Sequence, residues 1–246
     1  MTISDLSVLY EDNHLLVVLK PAGVLVQGDV TGDVSLLAIS KQWLAEKHQK
    51  PGNVFLGLVH RLDRPVSGIV VFAKTSKAAN RLCVQFRERT IQKTYLAVVE
   101  GRLVSASDTL IHYIQKRSGN RRVHIFSDPH ENSDRAELSY QVLEETADKS
   151  LLQVQIHTGR HHQIRAQFSA IGHPILGDHK YRSSVQLPGR TIALFAFQLG
   201  FSHPTQPREF VFQAIPPEEW PWTLFIRDNI RALNEDETPI QSRIAV

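Results

Sequence analysis

The sequence predicts an α+β fold in which helices flank a mixed, largely antiparallel sheet. Short apolar runs with the composition of strands recur along the chain, and patterns with a helical period lie between some of them. Several strand patterns follow one another without a helix, which favours an antiparallel or mixed sheet over a doubly wound parallel one. No linker-like or low-complexity stretch interrupts the 246 residues. We therefore predict one domain over residues 1–232 and a polar, loosely ordered tail over residues 233–246.

The elements follow from these patterns in chain order. The predicted strands are Leu6–Tyr10, Leu15–Lys20, Ile69–Ala73, Tyr95–Val99, Leu138–Leu143, Leu151–Ile156, Ile192–Leu199 and Glu209–Gln213. The predicted helices are Ser35–Lys47, Ser76–Arg87, His161–Ile171 and Glu218–Asp228. Thr75 or Ser76 is expected to cap the second helix, and Gly172 to end the third. The apolar residues of the last helix, which include two tryptophans, are expected to pack against the fold.

Composition and the chain start exclude several classes of protein. No apolar run approaches the roughly 20 residues that a membrane-spanning helix needs. The first residues, MTISDLSVLYEDNH, lack the basic and apolar regions of a secretory signal. The one cysteine, Cys83, excludes an internal disulfide and fits a reducing compartment. We predict a cytoplasmic protein.

Positive charge is unevenly distributed along a chain whose net charge is only +3. One basic stretch, opposed only by Glu88, contains Lys74, Lys77, Arg81, Arg87, Arg89 and Lys93. A second stretch, opposed only by Asp178, contains Arg160, Arg165, Lys180 and Arg182 together with five histidines. This sorting is compatible with a basic face for a polyanion, and also with ordinary solvated helix faces.

The stretch VHRLDRPVSGIVVFAKT places charged side chains directly before a buried strand. Asp63 lies among His60, Arg61 and Arg64, while Pro65 and Gly68 restrict the backbone around them. On the third predicted helix Arg165 lies at the edge of the apolar stripe, where an unpaired cation is costly to bury. Asp63 is the expected partner of Arg165. Spacing alone leaves open whether this pair is catalytic or only a structural salt bridge.

The sequence gives little support for a metal site, a nucleotide-binding site or a serine nucleophile. His157 and His161 have a four-residue spacing, but Thr158 and Gly159 argue against one helix across them, and no zinc-protease motif is present. The chain has no phosphate-binding loop of the Walker type and no GxGxxG after a strand. Ser67 lies outside a GxSxG motif. We expect no metal and no nucleotide cofactor.

Three segments resemble, in the same order, the motifs of the RluA-type pseudouridine synthases. They are HRLDRPVSG from His60, KTYLAVVEG from Lys93, and TGRHHQIRAQFSAIGHPILGDHKY from Thr158. With VLYEDNHLLVVLKPAGVLVQ, which is similar to the family's opening strands, the resemblance extends from about Val8 to about Ile215. It implies the catalytic fold of this family, with a central RNA-binding cleft. Since strand patterns begin almost at Met1, we expect the short form without an N-terminal S4-type module.

The resemblance also implies residue roles. Asp63 is similar to the catalytic aspartate, Tyr95 to the tyrosine that stacks on uracil and helps remove its C5 proton, and Arg165 to the basic residue paired with the aspartate. Arg61 resembles the residue that helps to displace the target base. The other residues expected to bind substrate are His60, Arg160, His162 and Gln163.

The predicted function is isomerisation of specific uridines in ribosomal or transfer RNA to pseudouridine, by an aspartate and without a cofactor. The expected partner is RNA with a flipped uridine, not DNA or a membrane, and the expected state is a monomer. Asp63 either attacks C1′ or removes the 2′ proton, and the sequence does not choose between these. The alternatives are an RNA-binding protein of this fold without activity, a hydrolase of N-glycosidic bonds, and an enzyme of other chemistry with a structural Asp63 ion pair.

Overall fold

The computed structural model describes residues 1–116 and 122–225. The chain divides into two compact units. The first contains Met1–Ile91 and Gln198–Ala214; the second contains Gln92–Phe197 and, among the described residues, 215–225. Among the described residues no helix has the length and apolar character needed to cross a membrane. The predicted tail lies outside the described residues, and the single domain stays a prediction.

The first unit contains paired strands, two helices and an apolar core that the strands share with α2. Its elements are β1 (Ser7–Glu11), β2 (Leu15–Lys20), α1 (Leu36–Lys47), β3 (Gly57–Leu58), β4 (Ser67–Ala73), α2 (Ser76–Glu88), the part of β10 (Leu194–Ser202) from Gln198 on, and β11 (Glu209–Gln213). β2 pairs with β1 and β4, β3 pairs with β4, and β10 pairs with β11, all antiparallel. Alternate residues of these strands, such as Val17, Val71 and Phe212, pack in one buried cluster with Leu82 of α2. The β-branched and apolar composition of β2 and β4 explains why all but one residue of each strand is buried.

The second unit is built on an antiparallel sheet of five strands in the order β5-β9-β8-β6-β7. These strands are β5 (Gln92–Glu100), β6 (Ser107–Gln115), β7 (His124–Phe126), β8 (Asp134–Glu145) and β9 (Lys149–Ile156). Helix α3 (Gln163–Ala170) packs on it through Ala166, which lies in a buried cluster with Ile114, Ala136 and Tyr181. Short 3-10 turns follow at His179–Tyr181 and Pro188–Arg190.

Side-chain caps explain where the helices begin. Ser35 Oγ accepts a hydrogen bond from the Ala38 N–H at 3.3 Å, and Thr75 Oγ1 accepts one from the Ala78 N–H at 3.2 Å. The cap predicted at Thr75 is therefore confirmed. α3 begins two residues later than predicted because His162 has a left-handed backbone, with φ of 55°.

Three strands and one helix differ from the sequence prediction. The strands β3, β6 and β7 were not predicted, whereas the predicted helix Glu218–Asp228 is absent from its described part, which contains only a 3-10 turn at Trp222–Leu224. The helix prediction was wrong there because Pro221 has no N–H to donate in a helical ladder. Residues 226–228 lie outside the described range. The packing expected of this segment holds for Trp222 and Phe225, which are buried, but Trp220 and Leu224 are exposed.

Candidate active site

The Asp63 loop connects β3 to β4 and is anchored by two buried side chains. Leu62 and Val66 are buried, Asp63 between them is half-buried, and Arg61 and Arg64 are exposed. The Asp63 carbonyl accepts a hydrogen bond from the Val66 N–H at 3.1 Å and closes a turn. The loop is therefore fixed by apolar side chains on both sides of a carboxylate that stays reachable from solvent.

His60 ties this loop to two other elements of the first unit. Its Nε2 accepts a hydrogen bond from the Val71 N–H of β4 at 3.0 Å. Its ring stacks on Phe86 of α2, with the ring centroids 4.9 Å apart and an angle of 21° between the planes. These contacts give His60 a positioning role that the sequence did not predict. Its predicted contact with substrate stays a prediction.

Lys20, at the end of β2, is a residue of this region that the sequence analysis missed. It is fully buried, and its Nζ donates to the carbonyl oxygens of Pro21, Val24 and Arg64 at 3.0, 2.7 and 3.1 Å. Burial lowers the pKa of Lys20 to about 7, although the charge of Asp63 opposes this shift and that of Arg64 adds to it. The available signal was a lysine closing the apolar run LLVVLK just before Pro21.

Arg64 links the same two segments a second time. Its carbonyl accepts from the Gly23 N–H at 2.8 Å, and its Nε donates to the Gly23 carbonyl at 2.9 Å. A further ion pair joins Arg64 to Asp33 at 2.7 Å. Arg61 differs from Arg64, because among the residues that the structure describes its exposed guanidinium has no hydrogen bond or ion pair.

In the second unit Tyr95 lies in β5, opposite Val154 of β9. Its strand neighbours Thr94 and Leu96 are buried, whereas Tyr95 and Lys93 are only partly buried. Since side chains alternate along a strand, Tyr95 and Lys93 project from the less buried face of β5. A phenol ring on that face has the exposure that stacking on a base requires.

Arg165 is held by an acid that the sequence analysis did not assign to it. Its Nε and NH2 donate to the two carboxylate oxygens of Asp178 at 2.6 and 2.9 Å, and both residues are buried. The guanidinium also lies over the ring of Tyr181, 5.1 Å from its centroid. Asp178 is the one acid of its basic stretch, which was the signal available. The predicted pairing of Arg165 with Asp63 stays a prediction.

Gln163 and His162, two further candidates of the third motif, form hydrogen bonds that hold the start of α3 in place. Gln163 is buried, with its Oε1 accepting from Thr158 Oγ1 at 2.7 Å and its Nε2 donating to the Glu137 carbonyl at 2.9 Å. His162 Nδ1 lies 2.8 Å from the Tyr181 hydroxyl, and the His162 ring stacks on His161. These contacts, like those of His60, are structural.

Arg160 lies in the turn before α3. Its Nε donates to the Arg135 carbonyl at 3.1 Å, and its NH1 lies 3.4 Å from Asp134 Oδ1. Its side chain remains 31% exposed, so part of the guanidinium faces solvent.

Some cations of the two basic stretches form hydrogen bonds or ion pairs within the fold. Lys74 donates to Glu11 Oε1 at 2.6 Å and to the Asp12 carbonyl, and Arg81 donates to the Pro204 carbonyl at 2.6 Å. The exposed cations on or next to α2 are Lys77, Arg81, Arg87 and Arg89, of which Arg81 makes the contact with Pro204. Taken by itself, neither unit has among its described residues a cluster of three His, Cys, Asp or Glu side chains that could hold a metal ion.

Comparison with known proteins agrees with these features. Residues 14–170 match the family model described as RNA pseudouridylate synthase. Ribosomal large subunit pseudouridine synthase D of Zymomonas mobilis is 34% identical over 225 residues, which cover 87% of this chain and 70% of that protein. tRNA pseudouridine synthase C of Pasteurella multocida is 32% identical over 233 residues, which cover 87% of this chain and 93% of that protein.

Solved structures give the same result for the fold. Human RNA Pseudouridylate Synthase Domain Containing 4 superposes with a TM-score of 0.72 at 25% identity, covering 86% of this chain and 88% of that one. Human RNA Pseudouridylate Synthase Domain Containing 1 has a TM-score of 0.69 at 26% identity, covering 91% of this chain and 88% of that one. The α+β prediction is confirmed.

Sequence and fold thus define an RNA-modifying enzyme of the isomerase class. The chain belongs to the RNA pseudouridylate synthase family, as its three motifs had indicated. The reaction of this family moves the glycosidic bond of a uridine in RNA from N1 to C5 of the base.

Proposed function

We propose that Asp63 is the catalytic carboxylate of this pseudouridine synthase, and that Tyr95 and Arg165 act on the same uridine. The observation that carries the proposal is the environment of Asp63, a half-buried carboxylate on a loop that is anchored on both sides by Leu62 and Val66. A carboxylate held in this way keeps its orientation and can still be approached by a substrate.

The chemistry explains what a carboxylate and an aromatic residue contribute to the reaction. The N1–C1′ bond breaks, the uracil turns, C5 bonds to C1′, the C5 proton leaves to a base, and N1 takes up a proton. No water is consumed, so no metal is needed to activate one. Asp63 either attacks C1′ or removes the 2′ proton to give a glycal. Tyr95 stacks on the detached uracil and helps to remove its C5 proton.

Arg165 is proposed as the basic residue that acts with Asp63 in the reaction. Its bidentate pair with Asp178 supports this role, because two parallel hydrogen bonds fix the plane of the guanidinium. A cation that is fixed before substrate binds costs no reorganisation during the reaction.

The proposed substrate is ribosomal or transfer RNA, as in the relatives from Zymomonas mobilis and Pasteurella multocida. A paired uridine must leave its helix to react, which costs a few kcal/mol. The exposed guanidinium of Arg61, which has no hydrogen bond or ion pair within the described part of the chain, suits it to take the place of the base. The partly exposed guanidinium of Arg160 suits it to bind phosphate. His60, His162 and Gln163 would contribute by holding these segments in place. We further propose a cytoplasmic monomer that needs no cofactor.

The test uses cellular ribosomal and transfer RNA labelled with tritium at uracil C5. Purified wild-type protein is expected to release tritium to water, whereas Asp63→Ala releases none. Asp148→Ala, which removes an exposed carboxylate paired with Lys149, is the matched control and should keep the wild-type rate. Activity in Asp63→Ala would overturn the role of Asp63. Free uracil in the product would indicate the hydrolase, and RNA binding without tritium release would indicate a binding protein.

A further inference from the structure

Residues 27–34 of the first unit form an exposed loop between β2 and α1, here called the acidic loop. Every residue in this range is exposed, whereas Val26 directly before it is buried. Two backbone hydrogen bonds close its base. The Leu36 N–H donates to the Leu25 carbonyl at 2.8 Å, and the Leu37 N–H donates to the Val26 carbonyl at 3.0 Å. The acidic loop is therefore fixed where it leaves the fold, while its own side chains lie in solvent.

Hydrogen bonds to Thr31 set the positions of the two carboxylates of this loop. The Thr31 N–H donates to Asp29 Oδ1 at 2.9 Å, and the Thr31 hydroxyl lies 2.5 Å from the same oxygen. That hydroxyl also lies 3.2 Å from Asp33 Oδ2, and it accepts from the Asp33 N–H at 3.4 Å. The Asp33 carboxylate is thus oriented by its local turn and not by burial.

Asp33 reaches from the acidic loop to Arg64, the residue directly after Asp63. Its Oδ2 lies 2.7 Å from Arg64 NH2, and the Arg64 and Asp33 side chains are 47% and 51% exposed. The Arg64 Nε donates separately to the Gly23 carbonyl at 2.9 Å. Because of this second contact, the guanidinium stays oriented next to Asp63 when the Asp33 carboxylate leaves it.

The Arg64–Asp33 pair is weak enough to be exchanged for another anion. Solvent screens an ion pair of this exposure, and the ordering of two long or mobile side chains offsets much of its attraction. A phosphate group has the charge and the paired oxygens that suit a guanidinium as well as a carboxylate does. A uridine whose sugar reaches Asp63 carries a phosphate on each side, and Arg64 is the next residue of the loop. Asp33 therefore occupies a cation that lies where RNA phosphate is expected.

We propose that Arg64 binds an RNA phosphate beside the target uridine, and that Asp33 is a built-in competitor which this phosphate displaces. The inference rests on the proposed function in one respect, the catalytic role of Asp63, because that role brings the uridine to this loop. In the free protein the pair joins the acidic loop to the Asp63 loop. When RNA binds, the phosphate takes the place of the carboxylate, and this contact between the two loops is lost.

The substitutions separate the ion pair from the total charge of the loop. Asp33→Asn removes the charge that binds Arg64 and keeps an oxygen near Thr31. Asp29→Asn is the matched control, because it removes an equal charge from the same loop and also keeps an acceptor for Thr31. The hydrogen bonds from Thr31 do most to lower the pKa of Asp29, and the charge of Arg64 is the smallest of the causes. Asp29 therefore interacts with Arg64 only weakly.

The experiment measures dissociation constants at two salt concentrations for cellular ribosomal and transfer RNA, and the urea unfolding of each variant. Asp33→Asn is expected to bind RNA about two- to fivefold more tightly, the range for one exposed ion pair, whereas Asp29→Asn changes affinity by less than about 1.5-fold. Arg64→Gln should bind more weakly, with the slope of log affinity against log salt reduced by about 1. In the Arg64→Gln background, Asp33→Asn should then change affinity by less than about 1.5-fold.

Equal gains in Asp33→Asn and Asp29→Asn would overturn the inference, since they would show a general effect of charge. A full gain from Asp33→Asn in the Arg64→Gln background would also overturn it, as would wild-type affinity in a folded Arg64→Gln. If Arg64→Gln does not fold, the comparison of Asp33→Asn with Asp29→Asn in the wild-type background still decides.

Asp63→Ala, assayed by tritium release, keeps the two proposals apart. If Asp63→Ala is active, the proposed function fails. If Asp63→Ala is inactive while Asp33→Asn binds RNA with wild-type affinity, only the present inference fails.

Discussion

Arg165 and Asp178 form a bidentate ion pair inside the second unit, with the Arg165 Nε 2.6 Å from Asp178 Oδ2. Their side chains are only 6% and 1% exposed, so neither charge has much access to water. A basic residue assigned to the reaction is therefore oriented by an acid of the same motif.

Asp178→Asn should lower the free energy of unfolding by about 3–5 kcal/mol, because it leaves the buried Arg165 guanidinium without its counter-charge. Urea unfolding would measure the change. Glu145→Gln is the matched control in the same unit, where the partner Arg102 is 63% exposed, and it should change the free energy of unfolding far less because solvent screens this pair. Equal effects of the two substitutions would contradict the structural importance of the Arg165–Asp178 pair.

We expect substitutions of the neighbouring residues His60 and Arg61 to have opposite effects: the first should lower stability, and the second should slow turnover. His60→Ala should lower the free energy of unfolding by about 1–3 kcal/mol, because the Val71 N–H loses its acceptor and Phe86 its stacking partner. RNA affinity should change less than twofold. Arg61→Ala should leave stability unchanged and slow turnover of the bound uridine. Urea unfolding, RNA binding and tritium release on both variants check this, and weaker RNA binding by a fully stable His60→Ala would contradict it.

The lowered pKa of Glu11 predicts how acid destabilises the protein. Burial alone would raise the pKa of Glu11, but hydrogen bonds from Lys47, Lys74 and His48 lower it to about 2. Because the folded pKa lies below the unfolded value near 4.5, this stabilisation is complete above pH 4.5 and is lost as the pH falls towards 2.

Glu11→Gln should therefore cost about 1–3 kcal/mol at pH 7 and progressively less below pH 4.5. Unfolding by urea at a series of pH values would show the two curves converging in acid. A constant difference between the wild type and Glu11→Gln from pH 7 to pH 3 would refute this account.

Lys20 predicts how stability depends on pH on the alkaline side. Burial lowers its pKa to about 7, against 10.5 for the ordinary group, so between these values the unfolded chain holds a proton that the folded protein lacks. Stability from this residue should rise with pH across that window, by at most about 1.4 kcal/mol per pH unit. The measurement is the carbon chemical shift at Lys20 Cε with pH, together with the stability difference from Lys20→Met. A midpoint near 10.5 would show that burial does not perturb Lys20.

The exposed cations of α2 predict a salt-dependent contribution to RNA binding. Lys77→Gln combined with Arg87→Gln should weaken binding at low salt and reduce the slope of log affinity against log salt by about 1 for each phosphate that the protein no longer neutralises. Turnover of saturated RNA should not change. Lys50→Gln, an exposed cation after α1, serves as the control. An unchanged slope would show that these cations do not face the RNA.

The sequence was sufficient for the class of fold and the family because both depend on local patterns. Apolar runs such as Leu15–Lys20, and the helical period around Leu82, report directly on which side chains are buried. The HRLD and HQIR motifs identified Asp63 and Arg165 as candidates through their resemblance to the family's motifs. Weakly patterned elements such as β3 and β7 were missed, because strands of two or three residues depend on their partners for stability.

What only the tertiary structure decided is which groups satisfy the buried charges of the site. Asp178 lies 13 residues after Arg165 and Arg64 lies 44 after Lys20, and no sequence period joins either pair. Each association follows from the folding of separate segments around the interior of its own unit. A buried ammonium or guanidinium must find acceptors there, because it loses its hydration when the chain folds.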